Sequence, residues 1–397
     1  MTPLRDVVIL GGGYAGLGCA LRLSALAPDL HITLVDAQDA LCERIRLHQV
    51  AVGHVPPRLP YAELVEGTGV AFVQARVLAI DAQARRVGTS VGELAYDRLV
   101  VALGSDIVPE LPGAAHYADT VGSAGAAARL RDRIAVLAAG SRVVVVGGGL
   151  TGIELAAELA DARGDLRVHL VDRGALGAGM LHPSATAKLR RSLARLGVTV
   201  HERFDATAVE PTRLAGATTS LDLDVCVWTT GFAASSVAAR SGLPVGRAGR
   251  LAVDATLRSI AHPEIYGIGD AAEPVVDVGA PALMSCRLGL PAGSHAAASL
   301  VAEVAGSTPR PWQVRDVLRC ISLGRDDGLE QFHRADGRPR AWSLSGAPAA
   351  WLKERICRAT IWVLRRRADA ARRRPRRLSA GPAVGVPSVA AVRTWER

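Results

Sequence analysis

The chain has 397 residues, of which 49% are hydrophobic, and a formal net charge of +9. This length predicts two or three domains with substantial hydrophobic cores. No apolar run reaches the roughly 18–20 residues that span a bilayer, and the first strand begins by Val7, which leaves no room for a signal peptide. The six cysteines show no CxxC pair and no metal-ligand spacing, which is typical of reduced thiols in a cytoplasmic protein without a metal site.

The N-terminal stretch carries a nucleotide-binding signature. An apolar strand, residues 7–10, leads into Gly11, Gly13 and Gly16, then into a helical stretch and a second strand that ends at Asp36. The first glycine makes the tight turn, the second lets a pyrophosphate approach the backbone, and the third lets the helix pack close to the sheet. The acid accepts hydrogen bonds from ribose hydroxyls. We therefore predict a dinucleotide site here.

Two further strands and a helix are predicted before residue 140. The strands cover residues 72–80 and 94–103, and Gly104 turns the chain at the end of the second one. The helix covers residues 124–139 and is rich in alanine and arginine.

A second copy of the signature follows. The strand at residues 143–146 leads into Gly147, Gly149 and Gly152, and Asp172 ends the next strand. In both copies the acid lies 25 residues after the first glycine. Two such sites predict one dinucleotide that stays bound and one that exchanges, which is the arrangement of a flavoprotein that is reduced by a nicotinamide.

The next elements return the chain to the first unit. A helix is predicted over residues 185–196, and a strand from residue 225 ends in a turn at Gly231. A short strand from residue 265 ends in Gly269 and Asp270, and a helix follows over residues 293–305.

The C-terminal part combines short strands, one helix and a basic tail. Residues 311–347 predict strands and turns, and residues 349–367 predict an amphipathic helix whose apolar face includes Trp351. Residues 353–377 hold eleven Lys and Arg against two acids, so the rest of the chain is neutral overall. We predict that residues 349–377 bind an anionic membrane surface, because a basic amphipathic helix with tryptophan suits such a surface. The alternative is a helix that docks on its own domain or on the partner in a homodimer.

The tail, residues 368–397, is rich in Arg, Ala and Pro, which predicts disorder. Specific recognition of nucleic acid is not predicted, because no aromatic residues interleave the arginines.

Taken together, these motifs resemble the two-dinucleotide-binding-domain flavoproteins of the pyridine nucleotide-disulfide oxidoreductase superfamily. The resemblance implies an α/β fold with two Rossmann-like domains, the NAD domain inserted in the FAD domain, and a small C-terminal α+β region. FAD would bind to residues 1–118 and 231–310, and NAD(P)H to residues 119–230. Residues 311–367 would form the C-terminal region with the amphipathic helix, followed by the tail at 368–397.

The same resemblance implies roles for the cofactor-binding residues. Asp36 would hold the ribose of FAD, Val77 would contact the adenine through its backbone, and Asp270 would meet the ribitol and pyrophosphate. Asp270 can also serve as a helix N-cap. Asp172 would accept a hydrogen bond from the 2′-hydroxyl of NADH and repel the 2′-phosphate of NADPH, while Arg173 keeps NADPH open as an alternative.

Details favour the type II NADH dehydrogenase-like branch. Glu154 matches a glutamate that this branch places near the nicotinamide, although it also suits the first turn of a helix as a plain helix former. Arg44 or Arg46 would stabilise negative charge on the reduced flavin, and a solvated basic turn is the alternative. His295 would be a proton donor near the flavin ring or a structural histidine.

One family feature is absent from the sequence, which narrows the activity. Disulfide reductases carry a CxxxxC pair, and here Cys42 is followed by Leu47 at the partner position. Electron transfer through a dithiol is therefore excluded at this place. The sequence also lacks the glutamine that quinone-using members carry in the stretch 284–295.

The sequence leaves the electron acceptor open among a quinone, oxygen, a small molecule and a protein. The leading prediction is a cytoplasmic enzyme, peripheral on the inner face of the membrane, that oxidises NADH. The alternatives are a soluble reductase or oxidase of a biosynthetic or electron-transfer pathway, and an apoptosis-inducing-factor-like protein that acts through a partner.

Overall fold

A computed structural model describes residues 4–275, 284–314 and 317–374. The first part of the chain forms a nucleotide-binding unit and a small antiparallel meander, and a 3-10 helix covers Arg44–Arg46. Its elements are β1 (Asp6–Leu10), α1 (Tyr14–Leu26), β2 (His31–Asp36), α2 (Leu47–Val50), α3 (Tyr61–Val65), β3 (Val70–Gln74), β4 (Val77–Asp81), β5 (Arg86–Thr89), β6 (Gly92–Ala95), β7 (Arg98–Val101), β8 (Ser105–Ile107) and α4 (Ala114–Tyr117).

The second unit repeats the strand–turn–helix plan of the first. Its elements are β9 (Ala118–Thr120), α5 (Ala124–Ala135), β10 (Arg142–Val146), α6 (Leu150–Ala162), β11 (Arg167–Val171), α7 (Pro183–Arg195), β12 (Thr199–His201), β13 (Ala206–Glu210), β14 (Arg213–Gly216), β15 (Ser220–Asp222) and β16 (Val225–Trp228).

The chain then returns to the first unit and ends in a separate antiparallel sheet with a long helix. These elements are β17 (Phe232–Ala234), α8 (Val237–Arg240), β18 (Leu251–Val253), β19 (Ile265–Gly267), β20 (Ala272–Pro274), α9 (Cys286–Val304), β21 (Leu318–Ser322), β22 (Gly328–His333), β23 (Pro339–Ser345) and α10 (Ala347–Arg372). Two more 3-10 helices cover Arg247–Gly249 and Gly269–Ala271.

Two parallel sheets organise the molecule. One has the strand order β19-β7-β1-β2-β3, and the other has the order β12-β11-β10-β16-β9. Because β19 joins the first sheet after the whole second sheet has been made, the second unit is an insertion in the first. The predicted α/β fold with two Rossmann-like units is confirmed.

The C-terminal region packs on both units. Side chains of β21 and β22 belong to the hydrophobic core of the second unit, including Ile321 and Leu329. Leu364 and Ala368 of α10 belong to the core of the first unit. The C-terminal region therefore lies at the junction of the two nucleotide-binding units.

Each of the two early strand predictions is wrong as a single element. The predicted strand 72–80 is broken after Gln74, where Ala75 N donates to the carbonyl of Asp36 and the chain leaves the parallel sheet for the meander. The predicted strand 94–103 is broken in the same way between β6 and β7, because Asp97 N donates to the carbonyl of Asp6. Arg76 and Asp97 lie in the two breaks, but a single charged residue is also common on the open face of a continuous strand, so the hydrophobic pattern does not mark the breaks.

Several predicted helix bounds also differ from the structure. The helix predicted at 124–139 ends at Ala135, and the one predicted at 293–305 begins at Cys286 and contains Pro291. Gly293 of α9 lies so close to the carbonyl of Ala15 that a side chain there would collide with it. Gly289, in the part of α9 that the prediction missed, also lies near Tyr14 and Ala15, so the packing of α9 on α1 extends over these earlier turns.

The apolar face predicted for the C-terminal helix is wrong in part. Trp351 is 63% exposed and Trp362 is 57% exposed, whereas Lys353, expected on the polar side, is buried. The buried face consists of Ala349, Lys353, Cys357, Leu364, Ala368 and Ala371. Residues 368–372, predicted as disordered, are the last turns of this helix, and residues 375–397 lie outside the described part of the chain.

Among the described helices, none combines the length and the low polarity that a membrane crossing needs.

Candidate functional site

The first glycine-rich loop has the shape of a phosphate cradle. A Cβ at Gly16 would collide with the carbonyl oxygen of Gly11, whereas a Cβ at Gly13 would meet nothing within 4 Å. Gly13 is the N-cap of α1, in extended conformation, and no side chain caps the helix. The first-turn N–H groups therefore face open space, where a pyrophosphate fits.

Asp36 holds this loop in place from the end of β2. Its carboxylate accepts from Gly12 N at 2.6 Å and from Gln38 N at 2.8 Å. Val77 begins β4 beside this acid, since Ala75 N is bonded to the carbonyl of Asp36. The predicted ribose and adenine contacts thus lie at one end of the parallel sheet.

The second loop repeats this geometry around Gly149. A Cβ at Gly152 would collide with the carbonyl of Gly147, and a Cβ at Gly149 would again meet nothing within 4 Å. Asp172 lies directly against Gly148 and accepts from Gly174 N at 2.6 Å. Both loops therefore fit a dinucleotide pyrophosphate.

Residues far apart in the sequence meet at the edge of the first sheet. Arg44 donates to the carbonyl of Ser105, and the Ser105 hydroxyl donates to Asp270 Oδ2 at 2.8 Å. Gly104, at φ +71°, lies beside the Arg44 guanidinium, and Gly269, at φ +64°, contacts Ala15 of the first loop. This cluster places a cation, a hydroxyl and a carboxylate side by side, next to the turn at Gly104 and the first glycine-rich loop.

Gly231 occupies the corresponding turn after β16. Its φ is +75°, and its backbone lies close to the carbonyl of Val108 in the segment that follows β8. The turn therefore lies at the seam between the two units, because β8 and β17 pair across it.

Arg46 is engaged with the C-terminal helix. It donates to both carboxylate oxygens of Glu354, at 2.9 and 3.0 Å, and to Gln49 at 3.1 Å. A further bond of 3.3 Å joins it to Glu43. These contacts favour Arg44, rather than Arg46, as the residue for the flavin.

Glu154 of α6 forms an ion pair with Lys353 of α10. Its Oε1 also accepts from Ser322 N at 2.9 Å. Burial lowers the pKa of Lys353 to about 8, despite the Glu354 carboxylate that raises it. The pair joins the second unit to the C-terminal region and was missed at the sequence level. The one available signal was that Lys353 shares a helix face with Cys357 and Leu364.

His48 lies buried between two glutamates of α6. Its Nδ1 is 3.8 Å from Glu154 Oε2, and its Nε2 is 4.0 Å from Glu158 Oε1. Burial lowers the pKa of His48 well below its usual value, and Lys353 and Arg325 lower it further. Burial raises the pKa of Glu158.

The segment 44–48 therefore connects the two candidate half-sites. Arg44 reaches Ser105 at the edge of the first sheet, and His48 lies beside Glu154 in the second turn of α6. One short stretch of chain thus contacts both nucleotide-binding units.

His295 and Cys42 lie elsewhere. His295 is next to the backbone of Arg310, and burial lowers its pKa. Cys42 lies near Arg44 and the backbone of Ala124, and burial raises the pKa of its thiol. Both observations favour structural roles, and the proton-donor role of His295 stays a prediction.

A family model supports the same interpretation. Residues 5–294 match the model described as pyridine nucleotide-disulphide oxidoreductase, a span that contains both loops, Asp36, Glu154 and Asp270. The chain belongs to this family. Membership makes it an NAD(P)H oxidoreductase that binds FAD, although Leu47 replaces the second cysteine of the redox pair.

Relatives place it in the NADH dehydrogenase-like branch. An NADH dehydrogenase-like protein of Mycobacterium tuberculosis is 33% identical, over 89% of this chain and 93% of the relative. The demethylphylloquinone reductase of Synechocystis is 29% identical, over 83% of this chain and 87% of the relative. In fold, the sulfide:quinone oxidoreductase of Aquifex aeolicus matches with a TM-score of 0.80 at 19% identity, over 91% of this chain and 92% of that chain.

Proposed function

We propose that this protein oxidises NADH and reduces a quinone at the surface of a membrane. The observation that carries this proposal is the bridge formed by residues 44–48, which joins the flavin edge of the first unit to Glu154 of the second. An oxidoreductase needs this proximity, because the nicotinamide must stack on the flavin for hydride transfer.

The residues around that junction have distinct roles in the proposal. When bound, FAD supplies the two-electron carrier between the nicotinamide and the acceptor. Arg44 stabilises the negative charge of the reduced state, and Asp270 with Ser105 orients the ribitol side. Glu154 orients the nicotinamide, and Lys353 holds the Glu154 carboxylate in position.

NADH is the preferred nucleotide in this proposal. The Asp172 carboxylate lies against the second loop, where it accepts from a ribose hydroxyl and repels a 2′-phosphate. Arg173 next to Asp172 is exposed, so its side chain is available to a 2′-phosphate, and NADPH stays the alternative nucleotide.

A quinone is the acceptor that the relatives favour. The Synechocystis relative is named a demethylphylloquinone reductase, and it aligns over most of both chains. The missing glutamine near residue 290 argues that the acceptor is held by other groups, and the Glu154–Lys353 pair is the candidate.

The outer face of α10 supports the membrane surface. Arg355 lies over the Trp351 ring at 5.5 Å, and Arg366 lies over the Trp362 ring at 4.9 Å. Tryptophan beside arginine suits the interface of an anionic bilayer. The opposite face docks on the protein itself, so both interpretations of this helix apply, one to each face.

Steady-state assays of the FAD-loaded protein test the function. We expect NADH oxidation with menadione to exceed oxidation with oxygen by at least about tenfold, a difference of about 1.4 kcal/mol in barrier. NADPH in place of NADH is the matched control. Fast turnover with oxygen and none with menadione would contradict quinone as the acceptor. No turnover with any acceptor would contradict the proposal that the protein oxidises NADH catalytically.

A further inference from the structure

A line of titratable side chains runs from the protein surface to the Glu154–Lys353 pair. It begins at Arg325, whose side chain is 38% exposed and lies 3.8 Å from the fully buried Glu158. It continues through His48, which lies 4.0 Å from Glu158 and 3.8 Å from Glu154. The line therefore has one end in solvent and the other in the candidate site.

The polar atoms within this line are poorly satisfied. Among the described residues, Glu158 Oε2 and His48 Nε2 have no hydrogen-bond partner, and the Ser322 hydroxyl meets Glu158 Oε1 only at 3.3 Å. Burying such groups without hydrogen-bond partners destabilises a folded protein, because their bonds to water are lost and not replaced. A purely structural position would be filled more stably by apolar side chains, so these groups are candidates for a functional role.

We propose that Glu158 and His48 conduct the proton that quinone reduction takes up, from solvent at Arg325 to the Glu154–Lys353 pair. This inference rests on the proposed function, in which NADH, one proton and a quinone give NAD⁺ and a quinol. The nicotinamide supplies the hydride, so one further proton must come from solvent.

Each transfer is a simple exchange of O–H and N–H bonds. A solvent proton binds a carboxylate oxygen of Glu158, that O–H bond then breaks as His48 Nε2 accepts the proton, and Nδ1 releases its proton to Glu154 Oε2. Rotation of the imidazole ring restores the starting tautomer. The two gaps close to hydrogen-bond distance with side-chain shifts of about 1 Å.

The surrounding charges suit this direction of transfer. Glu158 faces Ser322, Arg325, Asp161 and His48, and burial raises its pKa more than Arg325 lowers it. His48 faces Glu154, Glu158, Lys353, Arg325 and Arg46, and its pKa is lowered first by burial. Glu158 therefore accepts a proton readily, and neutral His48 is able to pass it on.

The test uses the FAD-loaded full chain with Glu158→Gln and His48→Gln. Anaerobic flavin bleaching by NADH needs no solvent proton, so in Glu158→Gln, which lies outside the bridge of residues 44–48, we expect it to stay within about twofold of the original protein. Re-oxidation by menadione, followed with a pH-indicator dye, should show proton uptake slowed by at least about tenfold, since a positioned acid or base contributes about 10²–10⁴-fold. The solvent deuterium isotope effect should rise in parallel.

Matched controls separate this effect from the loss of any buried polar group. Glu330→Gln removes a fully buried carboxyl of β22, and His169→Gln removes a half-buried histidine of β11. Both should take up protons as the original protein does. If the core variants fail to fold, Arg325→Gln at the exposed end should still slow proton uptake by about two- to fivefold. Unchanged proton uptake and isotope effect in folded variants would overturn the proposal.

A second readout is independent of turnover. Infrared spectra of the oxidised protein should contain the carbonyl band of a protonated carboxylic acid that Glu158→Gln removes, and His48→Gln should shift the pH at which the band titrates. Absence of the band, or no shift, would overturn the proton path. If the original protein fails to reduce menadione, the quinone proposal is contradicted, and the infrared comparison still decides whether Glu158 and His48 are coupled.

Discussion

Lys353 is a buried lysine whose charge depends on its partners. It forms an ion pair with Glu154, and Cys357 lies one turn further along the same buried face. An isolated ammonium at this depth would be expensive, so the carboxylate and the lysine require each other. The junction of α6 and α10 is therefore sensitive to any change in either charge.

The first prediction concerns the pH dependence of quinone reduction. Burial lowers the pKa of Lys353 from 10.5 to about 8, so the folded protein loses this charge at a pH where a free lysine keeps it. We expect menadione turnover to fall as pH rises through about 8. In Lys353→Arg, the decline should move upward by at least about one pH unit, because the guanidinium keeps its charge.

Lys188→Arg is the matched control for this experiment. Lys188 donates to the carbonyl of Ser343 at 2.9 Å, away from Glu154, so its replacement should leave the profile unchanged. An alkaline decline at the same pH in Lys353→Arg and the original protein would argue against this role of Lys353.

The second prediction concerns the choice of nucleotide. Asp172→Ala removes the acceptor of a ribose hydrogen bond and the charge that repels a 2′-phosphate. We expect kcat/KM for NADH to fall by about 10- to 100-fold and kcat/KM for NADPH to rise, as a hydrogen bond to a charged group contributes about 1.5–3 kcal/mol. Asp165→Ala, an exposed acid of the same unit paired with Arg163, is the control. An unaltered ratio of kcat/KM for NADH to kcat/KM for NADPH in Asp172→Ala would contradict this role of Asp172.

At the scale of elements, the two loop–helix units have glycines of two kinds. Gly152 lies against the backbone of Gly147, and Gly147 lies against Thr229 and Thr230 with a positive φ, so both glycines are required by the fold itself. Gly13 and Gly149 face open space, so the fold alone would accept a side chain there. This difference separates a structural requirement from a ligand requirement.

The third prediction follows from that difference. Gly149→Ala should leave the melting temperature within about 2 °C and raise the KM for NADH by at least about tenfold, because its Cβ enters the space for the pyrophosphate. Gly152→Ala should lower the melting temperature, because its Cβ meets the carbonyl of Gly147. Equal effects of both variants on stability and on KM would refute this assignment.

The fourth prediction concerns the outer face of α10. The double change Trp351→Ala with Trp362→Ala should reduce flotation with anionic phosphatidylglycerol vesicles by at least about fivefold and leave NADH oxidation by ferricyanide unchanged, since both rings are exposed. Higher salt should weaken flotation of the original protein.

Trp342→Ala is the control for the membrane face. This tryptophan is 61% exposed but lies on β23, where it packs against Phe332. Equal flotation of the double variant and the original protein would show that Trp351 and Trp362 do not bind the vesicle surface.

At the scale of the whole molecule, the C-terminal region holds the two nucleotide-binding units together. Lys353 meets Glu154 of the second unit, while Arg367 donates to the Gly18 carbonyl of the first unit at 2.9 Å. Arg372 adds bonds to the carbonyls of Glu63 and Glu66 at 3.0 and 2.8 Å. Part of the positive charge of α10 therefore serves docking, while Arg355 and Arg366 on its outer face lie over exposed tryptophans.

What the sequence could predict was local. The glycine loops and their acids follow from spacing alone, because each loop is a strand, a turn and a helix in one short segment. The Glu154–Lys353 pair joins residues nearly 200 positions apart, and no period in the sequence connects them. The buried face of α10 was misjudged because a lysine occupies its centre, and the partner that makes this burial tolerable lies in another unit.

Anaerobic mixing of the purified protein with NADH shows whether a bound flavin accepts hydride from this nucleotide. We expect the isolated protein to carry FAD and its flavin absorbance to bleach within milliseconds to seconds, faster than with NADPH. A chain that takes up no FAD, or a bound flavin that NADH fails to reduce, would show that the two units do not form an NADH-dependent flavoenzyme.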